Sequence, residues 1–73
     1  MDAWEKLEAL EDALFEIGEA MAALRRIDRD AVAELADIRG RVAVETERQL
    51  ARVRELEEQE EDALRREYER GLL

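Results

Sequence analysis

Large aliphatic side chains recur through the first half of this chain at alternating steps of three and four residues, a spacing that only an α-helix turns into one continuous apolar face. Leu7, Leu14, Met21, Leu35 and Val42 share one heptad position, and Leu10, Ile17, Leu24 and Ile38 share the other. Asp28 and Ala31 interrupt the pattern. Little opposes a helix elsewhere: proline is absent, and the glycines are Gly18, Gly40 and Gly71. Charged residues make up 45% of the chain, and alanine, leucine, glutamate and arginine dominate it, as in long helices and coiled coils.

The same pattern sets an expectation for where the chain reverses. Within Arg26–Asp30, either Asp28 or Asp30 is suited to cap a new helix; the other candidate break is Gly40. Because the heptad resumes in phase after Asp28, a continuous helix from about Asp2 to Arg39 needs the fewest special events. The turn is therefore predicted near Gly40, followed by a second helix from about Val42 to Arg70 with Gly71 as its terminal cap. The second helix carries two apolar patches, Leu50, Val53 and Leu56, then Ala63, Leu64, Tyr68 and Leu72. The expected fold is all-α, an antiparallel helical hairpin or coiled coil forming one domain over residues 1–73, with a homodimer among its expected states. One long extended helix is the alternative.

A compact domain of 73 residues buries only about 60% of its unfolded surface, and without cysteine no disulfide or thiolate–metal site can add stability. The longest apolar run, Ala20–Leu24, is far short of the roughly 20 residues of a membrane span, and the N-terminal stretch is acidic where a signal peptide is basic. The expectation is a cytoplasmic protein with no membrane partner.

Charge is segregated along the chain. Residues 1–24 hold seven acids against Lys6, residues 25–54 six acids against eight arginines, and residues 55–73 eight acids against three arginines, for a net charge of −9. By the 100° helical step, Glu5, Glu8, Asp12, Glu16 and Glu19 form a stripe opposite the leucine face. Glu55, Glu57, Glu58, Glu60, Glu61 and Asp62 crowd into eight residues with no base among them. Each exposed like-charge pair at helical spacing, such as Glu57 with Glu61, costs roughly 0.2–0.5 kcal/mol. Stripe acids three or four residues apart lie about 4.5–6 Å apart along the axis, against one phosphate per roughly 3.4 Å of a DNA strand. A reversal at Gly40 would set the two acidic ends side by side. Trp4 and Phe15 stand off the heptad, on a flank shared with Gly18 and Ala22. Burial against the second helix is expected of them; if exposed, they are the apolar anchors of an interface.

Catalysis is not expected. Histidine, cysteine and serine are absent, which leaves Thr46, Tyr68 and Lys6 to serve as nucleophile or proton carrier. Carboxylates abound, but a catalytic acid keeps its proton in an apolar pocket, and exposed helix faces offer none. There is no EF-hand loop, no Glu-x-x-His pair and no glycine-rich phosphate loop, so neither a metal site nor a cofactor is expected. Direct nucleic-acid binding is disfavoured by the net charge, and the arginines are expected to pair with neighbouring acids.

The segment Glu16-Ile17-Gly18-Glu19, followed after a gap by Asp30-Ala31-Val32-Ala33-Glu34-Leu35, resembles the long-helix region of the Mu-type phage Gam host-nuclease inhibitors. The likeness covers about half of the chain and implies a helical hairpin and a phage setting. DNA-end binding and site residues are not carried over, because this chain is acidic. Two functions follow from the residues. The first is an inhibitor, of the kind phages deploy against nucleases or CRISPR components, that lays acidic helices on the basic surface of a nucleic-acid-handling protein. The second is a structural coiled-coil module for self-association or docking to a partner helix.

Overall fold

The computed structural model describes residues 1–72, with side chains described through Gly71. It is an antiparallel hairpin of two helices of unequal length, α1 (Ala3–Leu24) and α2 (Arg29–Leu72). The molecule is a rod of 68 × 16 × 15 Å. Among the described residues no helix is long and apolar enough to cross a membrane.

Both helices start on an aspartate. The Asp2 carboxylate accepts the Glu5 N–H at 2.8 Å, and the Asp28 carboxylate accepts the Ala31 N–H at 3.1 Å. Each thereby satisfies one of the donors that the first helical turn leaves unpaired. Between the helices the chain reverses over Arg25–Asp28, where the Leu24 carbonyl accepts from both Ile27 and Asp28 at 2.9 Å. No residue in the described chain has a positive φ, so the reversal uses no left-handed residue.

The turn therefore lies at the heptad's interruption and not at Gly40. Gly40 sits inside α2, and Gly71 is likewise helical with negative φ and makes no left-handed cap. The physical reason is the pairing each turn would impose. A reversal at Gly40 would set Met21 and Leu24 against Glu57–Glu61 and bury carboxylates without partners, a cost of several kcal/mol per charge. A reversal at Arg25–Asp28 sets the same apolar face against Val32, Leu35, Val42, Thr46 and Val53. A helical glycine at position 40 costs only about 1 kcal/mol relative to alanine.

The contact seam on α2 runs through Val32, Leu35, Arg39, Val42, Thr46, Gln49, Val53 and Leu56, again in steps of three and four. It departs from the phase read from the sequence: Leu35 and Val42 keep their place, but Ile38 leaves the seam and is 41% exposed. Leu7 and Val53 are the buried apolar side chains, joined by buried Gln49. Leu10, Leu14, Ile17, Met21 and Leu24 of α1 are half-buried against α2. Gln49 Nε2 donates to the Ala3 carbonyl at 2.8 Å and ties the start of α1 to the middle of α2. Thr46 Oγ1 donates to the Val42 carbonyl at 2.8 Å, which leaves its methyl to the seam.

Because α1 is half the length of α2, it runs out near Gln49–Leu56. From Glu57 to Leu72, about 24 Å of α2 projects beyond the hairpin with nothing packed on it. Every described side chain in this overhang is exposed.

Candidate interaction surface

The five acids of the α1 stripe, Glu5, Glu8, Asp12, Glu16 and Glu19, are all exposed, on the side of α1 turned away from α2. The helix is regular through this stretch, so the stripe is a straight row about 21 Å long. The second group, Glu55, Glu57, Glu58, Glu60, Glu61 and Asp62, is equally exposed, at the root of the overhang.

The fold does not bring the two groups side by side, contrary to the expectation from a turn at Gly40. With the reversal at Arg25–Asp28, α1 lies along the arginine-bearing stretch of α2, and the acidic block lies beyond the N-terminus of α1. One acidic row therefore flanks the hairpin while the other continues past its end.

Electrostatic neutralisation is sparse. Among the described residues the ion pair formed is Arg48 with Glu45 at 2.6 Å, one helical turn apart and largely in solvent, which is worth a few tenths of a kcal/mol. The expectation that the arginines pair broadly with neighbouring acids is thus not met. Spacing alone does not explain it: Arg41 has Asp37 and Glu45, Arg52 has Glu55, and Arg54 has Glu57 and Glu58 three or four residues away, yet none of these pairs closes to ion-pair distance. Among the described residues no three acids converge on a common point.

Trp4 and Phe15 are 54% and 69% exposed, so the expected burial against the second helix does not occur. Both project from one flank of α1, roughly a third of a turn from the seam, and a two-helix structure has no third element to cover that flank. Phe15 borders a shallow groove between the helices, whose other walls are Leu14, Gly18, Glu19, Ala22 and Arg39. On α2, Leu64 and Tyr68 are 63% and 69% exposed instead of forming a second core patch, while Leu72 lies outside the described side chains.

The sequence reading missed Thr46 and Gln49 as seam residues and the overhang as an element. A signal for the first was present, since both fall in the steps of three and four that run from Val32 to Leu56. Thr46, one of the residues left over for nucleophilic chemistry, is engaged with its own helix backbone and has no acid–base partner. A surface depression along Asp37, Gly40, Arg41, Val44, Glu45 and Arg48 is walled by α2 alone and encloses nothing. What the structure offers is extended surface of marked charge, with aromatic side chains at its edge. Comparison with protein-family models, with curated proteins and with solved structures finds no match to this chain, so no relative's site is carried over to it.

Proposed function

We propose that this protein is a non-enzymatic binding protein that presents rows of carboxylates to a basic, nucleic-acid-binding surface of another protein and so inhibits it. The observation that carries the reading is the straight, fully exposed stripe Glu5–Glu19, no member of which takes part in an ion pair within the described residues. A helix that needed acids only for solubility would gain from interspersed bases, whereas here the outer face of α1 carries one sign. Carboxylates would occupy the positions of phosphates on the target. Exposed Trp4 and Phe15, beside the stripe, would add apolar contact area. The targets of this chemistry are nucleases, CRISPR components and other DNA-binding proteins. A phage setting, as in the Gam resemblance, is part of the same proposal.

The test is capture of proteins from the native cell with the tagged chain, followed by competition. The expected outcome is a DNA-binding protein that is released by moderate salt and by duplex DNA, and that loses the chain when Glu5, Glu8, Asp12, Glu16 and Glu19 are changed to lysine. Capture undiminished by that charge reversal, and by the reversal of Glu55–Asp62, would sink the proposal.

A structural module is the second reading, favoured by one observation: the overhang keeps Leu64 and Tyr68 on one side with nothing covering them. It expects a helical partner whose binding depends on these two residues and is insensitive to salt.

A further inference from the structure

The groove beside Phe15 and the apolar side of the overhang, Leu64 and Tyr68, lie on the same side of the molecule by helical phase, and both are exposed in the single hairpin. By the 100° step, Leu64 and Tyr68 continue the α2 stripe that carries Ala36, Ala43 and Leu50. In an antiparallel pair this flank of α2 and the Trp4–Phe15 flank of α1 face the same way. The groove that opens there is lined by Phe15, Gly18, Ala22 and Arg39 among others.

We propose that the chain forms a two-fold dimer in which the α2 helices pair antiparallel about Leu50 and each overhang seats in the groove of the other copy. Leu50 lies at the middle of α2, so this axis pairs the two long helices over their full length. Each half of the dimer then becomes a three-helix bundle made of α1, the first part of α2 and the partner's overhang. Through the Gln49–Ala3 register, Leu64 of the second copy comes beside Phe15, and its Tyr68 comes over the space left by Gly18 and Ala22. A side chain added at Gly18 would meet nothing within 4 Å in the single hairpin, so this space is empty until a partner fills it.

Charge supports the second copy as the occupant. The overhang's Glu57–Asp62, with five acids, comes level with residues 38–43 of the partner's α2, whose charged residues are Arg39 and Arg41. Arg39 lines the groove and has no ion-pair partner among the described residues. Residues 64–71 of the overhang, where Arg65, Arg66 and Arg70 outnumber Glu67 and Glu69, come level with residues 29–36, where Asp30 and Glu34 outnumber Arg29.

Exposed area supports it as well. The hairpin exposes 6355 Å², whereas a compact monomer of 8.5 kDa exposes about 4,700 Å². The excess, about 1,700 Å² per chain, exceeds the roughly 800 Å² per partner of a stable interface. The dimer leaves the Glu5–Glu19 stripe on its outside and does not rest on the inhibitor reading.

Sedimentation equilibrium on the full chain tests the proposal, with helicity followed by circular dichroism. The expected species is a dimer of twice 8.5 kDa. Leu64→Asp is expected to raise the dissociation constant by roughly thirtyfold or more. Gly18→Leu is expected to weaken the dimer as well while leaving the helical content of the hairpin intact, because the single chain has room for it. Oxidising a mixture of Ala43→Cys and Glu57→Cys chains is expected to give the mixed disulfide in preference to either homodimer, since the two positions are level only in the antiparallel pairing. A monomer throughout the micromolar range, a dimer indifferent to both Leu64→Asp and Gly18→Leu, or homodimeric disulfides in place of the mixed one would each overturn the proposal.

Discussion

Gln49 is the residue on which the pairing of the helices turns. Its buried amide reaches the Ala3 carbonyl across the hairpin, and among the described residues it supplies the hydrogen bond that joins α1 to α2. Gln49→Ala removes that bond and leaves a small void. It is expected to lower stability by about 1–3 kcal/mol, read from urea unfolding at fixed protein concentration. Gln49→Met keeps the volume, and its cost is expected to be smaller, since the Ala3 carbonyl remains within the first turn of α1. Gly40 offers the opposite case: it is helical, its φ is negative, and an added methyl meets nothing within 4 Å. Gly40→Ala is therefore expected to stabilise the chain by about 0.5–1 kcal/mol in the same assay. Had Gly40 formed the turn, the substitution would have destabilised it, so the sign of the change checks the topology.

At the scale of elements, the hairpin depends on its second helix starting at Arg29. The reversal contains no glycine and no left-handed residue, and the Asp28 carboxylate marks where α2 begins. Asp28→Ala is expected to cost about 1 kcal/mol, with Asp28→Asn close to neutral, because asparagine supplies an equivalent acceptor. Thermal unfolding followed at 222 nm measures both. The overhang is the element with least support. A lone helix of its length is marginal in water, and its acidic block adds like-charge repulsion. Hydrogen exchange is expected to be fastest from Glu57 onward in a monomer, and slowed there in the dimer.

At the scale of the whole molecule, length mismatch governs what the protein can offer. Two helices of equal length would have left no unpaired tail. Because α2 outruns α1, the rod has a body with an open flank and a tail with an unpaired apolar strip, both outlined by charge. Salt separates the two roles. Docking of the outer acidic stripe on a basic partner is expected to weaken steeply as ionic strength rises, while dimerisation, which combines apolar contact with charge, is expected to respond less.

Helical class and amphipathicity were legible in the sequence because they depend on local spacing: a period of three and four, with almost no breakers, has one regular solution. The acidic stripe on α1 was legible for the same reason, since side chains up to about four turns apart share a face once the helix is granted. The position of the turn was not legible from local signals. Gly40 carries the stronger breaker residue, but the choice between Gly40 and Asp28 rests on which side chains meet across the hairpin, and that is a property of pairs far apart in the chain. The exposure of Leu64 and Tyr68 follows from the same choice, because the turn sets how much of α2 has a neighbour, whereas Trp4 and Phe15 are exposed because their flank of α1 meets no third helix. Local periodicity determined that this chain would be helical and which residues would share each face; only the tertiary pairing, decided by the cost of burying carboxylates against leucines, fixed which faces were covered and which were left to a partner.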